Sequence, residues 1–126
     1  MSALRLLPVV ATLRFERALD ALLDYYDSIR HLHPDAGSRA LRLIDVVESE
    51  LPQLLAAQPD LGRPAQLNLT QSQAEKNWLI RLAPLTARRR MQAREWLVGD
   101  FWVLYYRTSS AVYLASARHE REAEYR

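Results

Sequence analysis

The sequence predicts an α+β fold: a small antiparallel sheet, made of an N-terminal strand and a C-terminal three-stranded meander, packed by a helical hairpin. Three observations predict it. Hydrophobic periodicity switches from strand-like to helical within the first twenty residues. Two amphipathic segments then follow, separated by the short break HLHPDAG at 31–37. The chain closes with three runs rich in Val, Leu and aromatics, split by Gly99–Asp100 and Ser109–Ser110, the spacing of a β-meander. At 126 residues the chain is sized for one domain, 1–126, with a real hydrophobic core.

Taken in order, LLPVVATLRF at 6–15 is β-branched around Val9, Val10 and Thr12, and reads as a strand from Val9 to Phe15. Pro8 stands at its start, where a missing N–H is tolerated. Leu19, Leu22, Leu23, Tyr26 and Ile29 then recur at three- and four-residue steps, with Asp20, Asp24 and Asp27 off the stripe, giving a first helix. A second helix starts near Pro34 or Asp35, both suited to a helix N-terminus. Its apolar face is Ala40, Leu43, Ile44, Val47 and Leu51, and Pro52 is expected to kink or end it, with LLAAQ adding a short turn.

PDLGRPAQLNLTQ at 59–71 reads as loop, with turn chemistry at Pro59, Gly62 and Pro64. Ser72 and Glu75 match a capping box, and Trp78, Leu79, Leu82 and Leu85 form a helical stripe. An extra helix is therefore expected at 73–83, within an insert at about 72–90. AREWLVG, DFWVLYYRT and AVYLASARH supply the three meander strands. Alternation along the middle one puts Phe101, Val103 and Tyr105 on one face and Trp102, Leu104 and Tyr106 on the other. With helices on one face only, the other stays partly open, so part of the aromatic set, Trp102 and Tyr106, becomes a candidate binding surface.

Composition narrows the classes. Hydrophobic residues make up 49% and charged residues 25%, which excludes bulk disorder. There is no cysteine, so disulfides and thiolate metal sites are excluded. The N-terminal apolar run is too short for a membrane span and lacks the features of a signal peptide, so a cytoplasmic protein with no membrane association is expected. The net charge of +2 hides an asymmetry. Residues 1–60 hold six Arg against nine acids, and residues 61–126 hold ten Arg and Lys76 against six. Arginine suits bidentate recognition of phosphate or carboxylate, and although a GC-rich coding bias also favours it, its segregation points to an anionic partner.

The densest cluster is Arg88, Arg89 and Arg90, with Arg94 beyond; a solvated helix end and a contact to acids or phosphates both fit it. His31, His33 and Asp35 lack a fourth ligand at suitable spacing, so no metal and no cofactor is expected. No Gly-rich phosphate loop and no nucleophile motif occurs.

Four stretches in order, VVATLRFERALDALLDYY, PDLGRP, REWLVGDFWVLYYR and VYLASARHEREAEY, resemble the RelE/ParE family of bacterial type II toxin–antitoxin toxins. They cover most of the chain apart from 66–92, and the Arg-His-x-Arg-Glu tail is similar to the ParE branch, the plasmid-stabilisation type. The resemblance implies a toxin neutralised by a cognate antitoxin that folds upon it. ParE-like members bind DNA gyrase, and RelE-like members cut mRNA in the ribosome. A homodimer and a heterotetramer with antitoxin are both open.

For RNA cleavage, His119 would serve as acid or base, Arg94, Arg118 and Arg121 would hold the scissile phosphate, and Tyr125 would stack or donate a proton. Tyr125 also stands where RelE-like toxins often carry a functional tyrosine. Alternation opposes convergence, grouping Ser116 and Arg118 with Val112 and Leu114, and Ala117 and His119 with Tyr113 and Ala115. The leading expectation is a ParE-like toxin that inhibits gyrase by binding, without chemistry. Ribosome-dependent mRNA cleavage through Arg94, His119, Arg121 and Tyr125 is the alternative, and a non-toxic antitoxin-binding scaffold is a third. In the binding readings, Arg88, Arg89, Arg90, Arg94, Arg118, Trp102 and Tyr106 contact the target or the antitoxin.

Overall fold

The computed structural model describes residues 6–82 and 91–126. Strand β1 is Val9–Ala11, and helix α1, Leu13–Ile29, follows at once. Helix α2 is Ala36–Asp45, and a wide helical turn at Val46–Glu50 leads into α3, Leu51–Ala57. A two-residue strand β2, Arg63–Pro64, precedes α4, Leu69–Leu82. The meander is β3, Gln92–Val98; β4, Phe101–Arg107; and β5, Val112–His119. The five strands form one sheet in the order β1-β5-β4-β3-β2. No helix among the described residues is long and apolar enough to cross a membrane.

The α+β class holds, with two corrections to the sheet. It is mixed, because β1 lies parallel to β5, pairing Val9 with Val112 and Ala11 with Leu114. It also has a fifth strand inside the segment read as loop, where Arg63 pairs with Glu95 and Pro64 with Arg94. Pro64 is tolerated there because an edge strand leaves one side unpaired.

The first strand is shorter than its β-branched run. Thr12 is extended (φ −75°, ψ 159°), and its hydroxyl accepts the Phe15 N–H at 3.2 Å while donating to the Leu114 carbonyl at 2.8 Å. That cap starts α1 two residues before Phe15, so Phe15 enters the core from a helix, not a strand. Pro52 does not end the second helix. The Leu51 N–H reaches the Val46 carbonyl, five residues back, and this wide turn lets the helical path absorb the proline.

Helices α1 to α3 cover one face of the sheet. Phe15, Leu22, Tyr26, Leu43, Val46, Leu51 and Leu55 pack there against Phe101, Val103, Tyr105, Val112, Leu114 and Ala117. The opposite face is not open. Trp78 and Leu79 of α4 and Tyr125 of the C-terminal segment pack on Leu104, Tyr106 and Ala115. Helix α4 begins at Leu69 rather than 73, because Asn68 caps it: its Oδ1 accepts the Gln71 N–H at 2.7 Å. Glu75, assigned by the motif to a capping box, points into the sheet instead. Leu82 is 38% exposed, and Leu85 lies outside the described residues.

On β5 the register shifts, with Tyr105 opposite Leu114 but Leu104 opposite Ser116. The extra residue, Ala115, makes a bulge that exchanges the faces beyond it. Ser116 and Arg118 thus lie on the α4 side, and Ala117 and His119 on the hairpin side. The expected grouping with Val112 and Tyr113 is reversed, but Arg118 and His119 still diverge.

Candidate functional site

The residues singled out from the sequence fall into three separate places. Arg94 closes a loop: its guanidinium donates to the carbonyls of Gly62 and Asp60, the second at 3.2 Å. Tyr105 secures the same loop, donating to the Pro59 carbonyl and accepting the Gly62 N–H, each at 2.9 Å. Arg94 is thereby committed to holding residues 59–62 against β3.

His119 and Arg121 share a cleft on the hairpin side. The His119 ring meets Phe101 edge-on at 5.8 Å, and its Nδ1 accepts the Arg121 main-chain N–H at 3.1 Å. A neutral imidazole in this arrangement carries its proton on Nε2.

Arg118, Trp102, Tyr106 and Tyr125 lie on the opposite face. Tyr125 is buried and donates to Glu95 Oε2 at 2.7 Å, while Arg63 and the Gln66 N–H satisfy Glu95 Oε1. Burial and the Glu95 carboxylate push the Tyr125 phenol well above the usual range, so at neutral pH it is a fixed donor. Trp102 is flanked by the guanidinium groups of Arg63, 4.2 Å from the ring centroid, and Arg118, at 5.9 Å. Arg118 also lies over Tyr125 and donates to the Glu122 carbonyl at 2.6 Å. Tyr106 is 1% exposed, so α4 removes it from any surface a partner could touch. Arg88, Arg89 and Arg90 lie outside the described residues.

Arg94, His119, Arg121 and Tyr125 therefore do not surround one point. On β4 their strand neighbours Tyr105 and Phe101 are four residues apart, about 13 Å at the usual strand rise. Tyr125 is on the far side of the sheet. A phosphodiester held in the cleft by His119 and Arg121 meets neither Arg94 nor Tyr125.

A different arrangement emerges where α1 meets α4. Glu75, 4% exposed, receives both terminal nitrogens of Arg14 at 2.6 Å, the Tyr106 hydroxyl at 2.7 Å and Gln71 Nε2 at 2.9 Å. Burial and Glu75 together push the Tyr106 phenol far up, keeping it protonated. Gln71 Oε1 accepts the Tyr125 N–H, and Arg14 Nε donates to the Arg126 main-chain oxygen, which also accepts the Ser116 hydroxyl. A buried carboxylate with a bidentate arginine and two further donors is fully compensated, so the network can clamp α4 and the C-terminal segment to the sheet.

Beside this clamp runs a groove of about 610 Å³. Arg14, Arg17, Arg81 and Arg126 line it together with Trp78 and Leu13, and no acidic side chain is in its lining among the described residues. The Arg14 guanidinium stands 4.8 Å from the Trp78 ring centroid. Sequence reading missed this surface because its arginines come one or two at a time from α1, α4 and the last residue. The available signal was the Arg14–Arg17 spacing, one helical turn, beside Ala18 and Ala21 on the same helix. Among the described residues no group of three or more His, Asp or Glu is placed to hold a metal ion. Compared with known proteins, the chain matches no family model and no curated protein.

Proposed function

We propose that the chain is a ParE-like toxin of a type II toxin–antitoxin module, which acts on DNA gyrase by binding and is neutralised by a cognate antitoxin. The observation that carries this reading is the pairing of a dispersed nuclease set with an assembled cationic groove. Arg94 and Tyr125 are committed to internal hydrogen bonds, which favours stoichiometric binding over chemistry. Arg14 and Arg126 of the groove are paired with Glu75 and Glu122, and Arg17 and Arg81, beside Trp78, suit an acidic segment with apolar anchors, the chemistry expected of a neutralising antitoxin helix. The fold class and the ordered Arg-His-x-Arg-Glu segment agree with the family resemblance.

The test is a supercoiling assay with purified gyrase and the full chain, alongside inspection of cellular messages after expression. Inhibition at micromolar protein with intact messages is the expected result. No inhibition at that concentration, or messages cut at the ribosome, would overturn it. An Arg17→Glu/Arg81→Glu variant changes two exposed side chains and should keep the fold. It is expected to lose antitoxin affinity by at least about tenfold, with the remaining affinity less sensitive to salt.

A further inference from the structure

The cleft holding His119 and Arg121 lies on the hairpin side, between the end of α1, the α1–α2 turn, the β3–β4 turn and the end of β5. It measures about 370 Å³, and Tyr26 is among its lining residues. Tyr26 is 2% exposed, yet its hydroxyl has no hydrogen-bond partner among the described residues. Buried polar groups are nearly always paired, and one left unpaired beside a cavity offers a hydrogen bond that a water or a ligand atom can complete. The ring is held in place by packing: Tyr25 lies 5.8 Å away and Phe101 meets it edge-on at 5.6 Å. Burial first, then the neighbouring Asp100 carboxylate, push the phenol up to about 12, so it remains protonated at neutral pH.

The charges around this hydroxyl favour a cation. Arg39 is spent on two acids, donating to Asp35 at 3.1 Å and Asp100 at 2.9 Å. It meets Asp100 through Oδ2, and Oδ1 has no side-chain partner among the described residues. Glu120 adds a third carboxylate, against Arg121 as the only further arginine of the lining. The lining carries three acids and two arginines beside His33 and His119. Tyr25, half exposed, contributes an aromatic ring, whose face attracts cations.

We propose that this cleft binds a cationic nitrogen group, a guanidinium or primary ammonium, that donates to the Tyr26 oxygen and Asp100 Oδ1 while resting against Tyr25. The group belongs either to a small organic amine or to an arginine or lysine side chain. This site is independent of the gyrase reading, since it lies at the last turns of α1 and the Arg14–Arg81 groove lies along the first turns.

Titrating the full chain with n-butylguanidinium, n-butylammonium, a capped arginine tripeptide and inorganic phosphate, followed by calorimetry and by the tyrosine ring resonances, tests it. Saturable binding of the organic cations, with Tyr26→Phe and Asp100→Asn each weakening it at least about tenfold, is expected. The tripeptide binding more tightly than butylguanidinium assigns a protein side chain, and the reverse order a free amine. Tyr26→Phe removes one unpaired oxygen, so an unchanged or raised melting temperature would show that lost binding is not lost folding. Absence of saturable cation binding, equal affinity in Tyr26→Phe, or preference for phosphate would each overturn the assignment.

Discussion

At the scale of single residues, Gly62 is the most tightly enclosed of the three glycines. A Cβ there would stand 2.6 Å from the Glu95 carbonyl oxygen and 2.9 Å from the Tyr105 hydroxyl. The nearest obstacle is strand backbone, which cannot rotate away, and the Tyr105 hydroxyl is tied to Pro59 and Gly62. Gly62→Ala is therefore expected to cost about 2–3 kcal/mol, within the range for overpacking a rigid site. Thermal denaturation would read this as a drop of roughly 5–15 °C, and an unchanged midpoint would refute it. Glu75 makes the complementary case, in which charge rather than space decides. Glu75→Ala strands the Arg14 guanidinium, 17% exposed, and the Tyr106 hydroxyl beneath α4. A loss of about 3 kcal/mol is expected, as for breaking one side of a buried pair. In that background Arg14→Ala should cost far less than it does alone, because its partner is already gone. A double-mutant cycle in denaturant measures the coupling, and additive losses would show that the pair is not the clamp.

At the scale of elements, the sequence was most legible where one periodicity ran unopposed. The alternation of Phe101, Val103 and Tyr105 against Trp102, Leu104 and Tyr106 matches the two faces found, and the α1 stripe at Leu22 and Tyr26 is buried as read. Legibility failed where a local hydrogen bond outweighed propensity. Thr12 sits in a β-branched run, but its hydroxyl caps α1 and cuts the strand short. Strand β2 is two residues, one of them proline, and exists only because Glu95 and Arg94 lie opposite, a non-local fact. Helix α4 misled in both its start and its inward face. Ser72–x–x–Glu75 has the spacing of a cap, yet Gln71 and Glu75 are the residues buried against the sheet. The first half of α4 turns polar side chains inward, satisfied by distant partners, and leaves no hydrophobic period to read there, whereas the stripe read at Trp78 and Leu79 does pack on the sheet. Asn68 is the actual cap, so Asn68→Ala is expected to lower stability by about 1 kcal/mol. Faster amide exchange should be confined to the first turn of α4, whereas the same substitution at Ser72 should have little effect. The converse pattern would restore the capping box.

At the scale of the whole molecule, the bulge at Ala115 and the clamp on Glu75 explain why the candidate site could be named only in fragments. Each arginine was visible, but which arginines meet depends on strand parity and on where α4 lies. The same architecture buries tyrosines on both faces of one sheet, and this gives the fold a shared alkaline weakness. Burial raises the phenols of Tyr26, Tyr105, Tyr106 and Tyr125, to about 12 for Tyr26. In the unfolded chain the same groups ionise near their ordinary value of about 10. Above about pH 10 the unfolded state therefore releases protons that the native state retains, and the sign of the linkage is destabilising. Stability from these groups is fully present below that pH and falls as pH rises, by about 1.4 kcal/mol per pH unit for each lagging phenol. Tyr26, Tyr106 and Tyr125 acting together would remove about 8 kcal/mol over about two units, enough to exhaust the lower half of a typical margin of 5–15 kcal/mol. Tyrosinate absorbance and far-UV circular dichroism are accordingly expected to change together in one steep alkaline transition. A Tyr106→Phe/Tyr125→Phe variant removes two of the four groups and should make that transition shallower. If the buried phenols instead titrate gradually near pH 10 while the dichroism is unchanged, the second face is open to solvent and the clamp does not hold α4 in place.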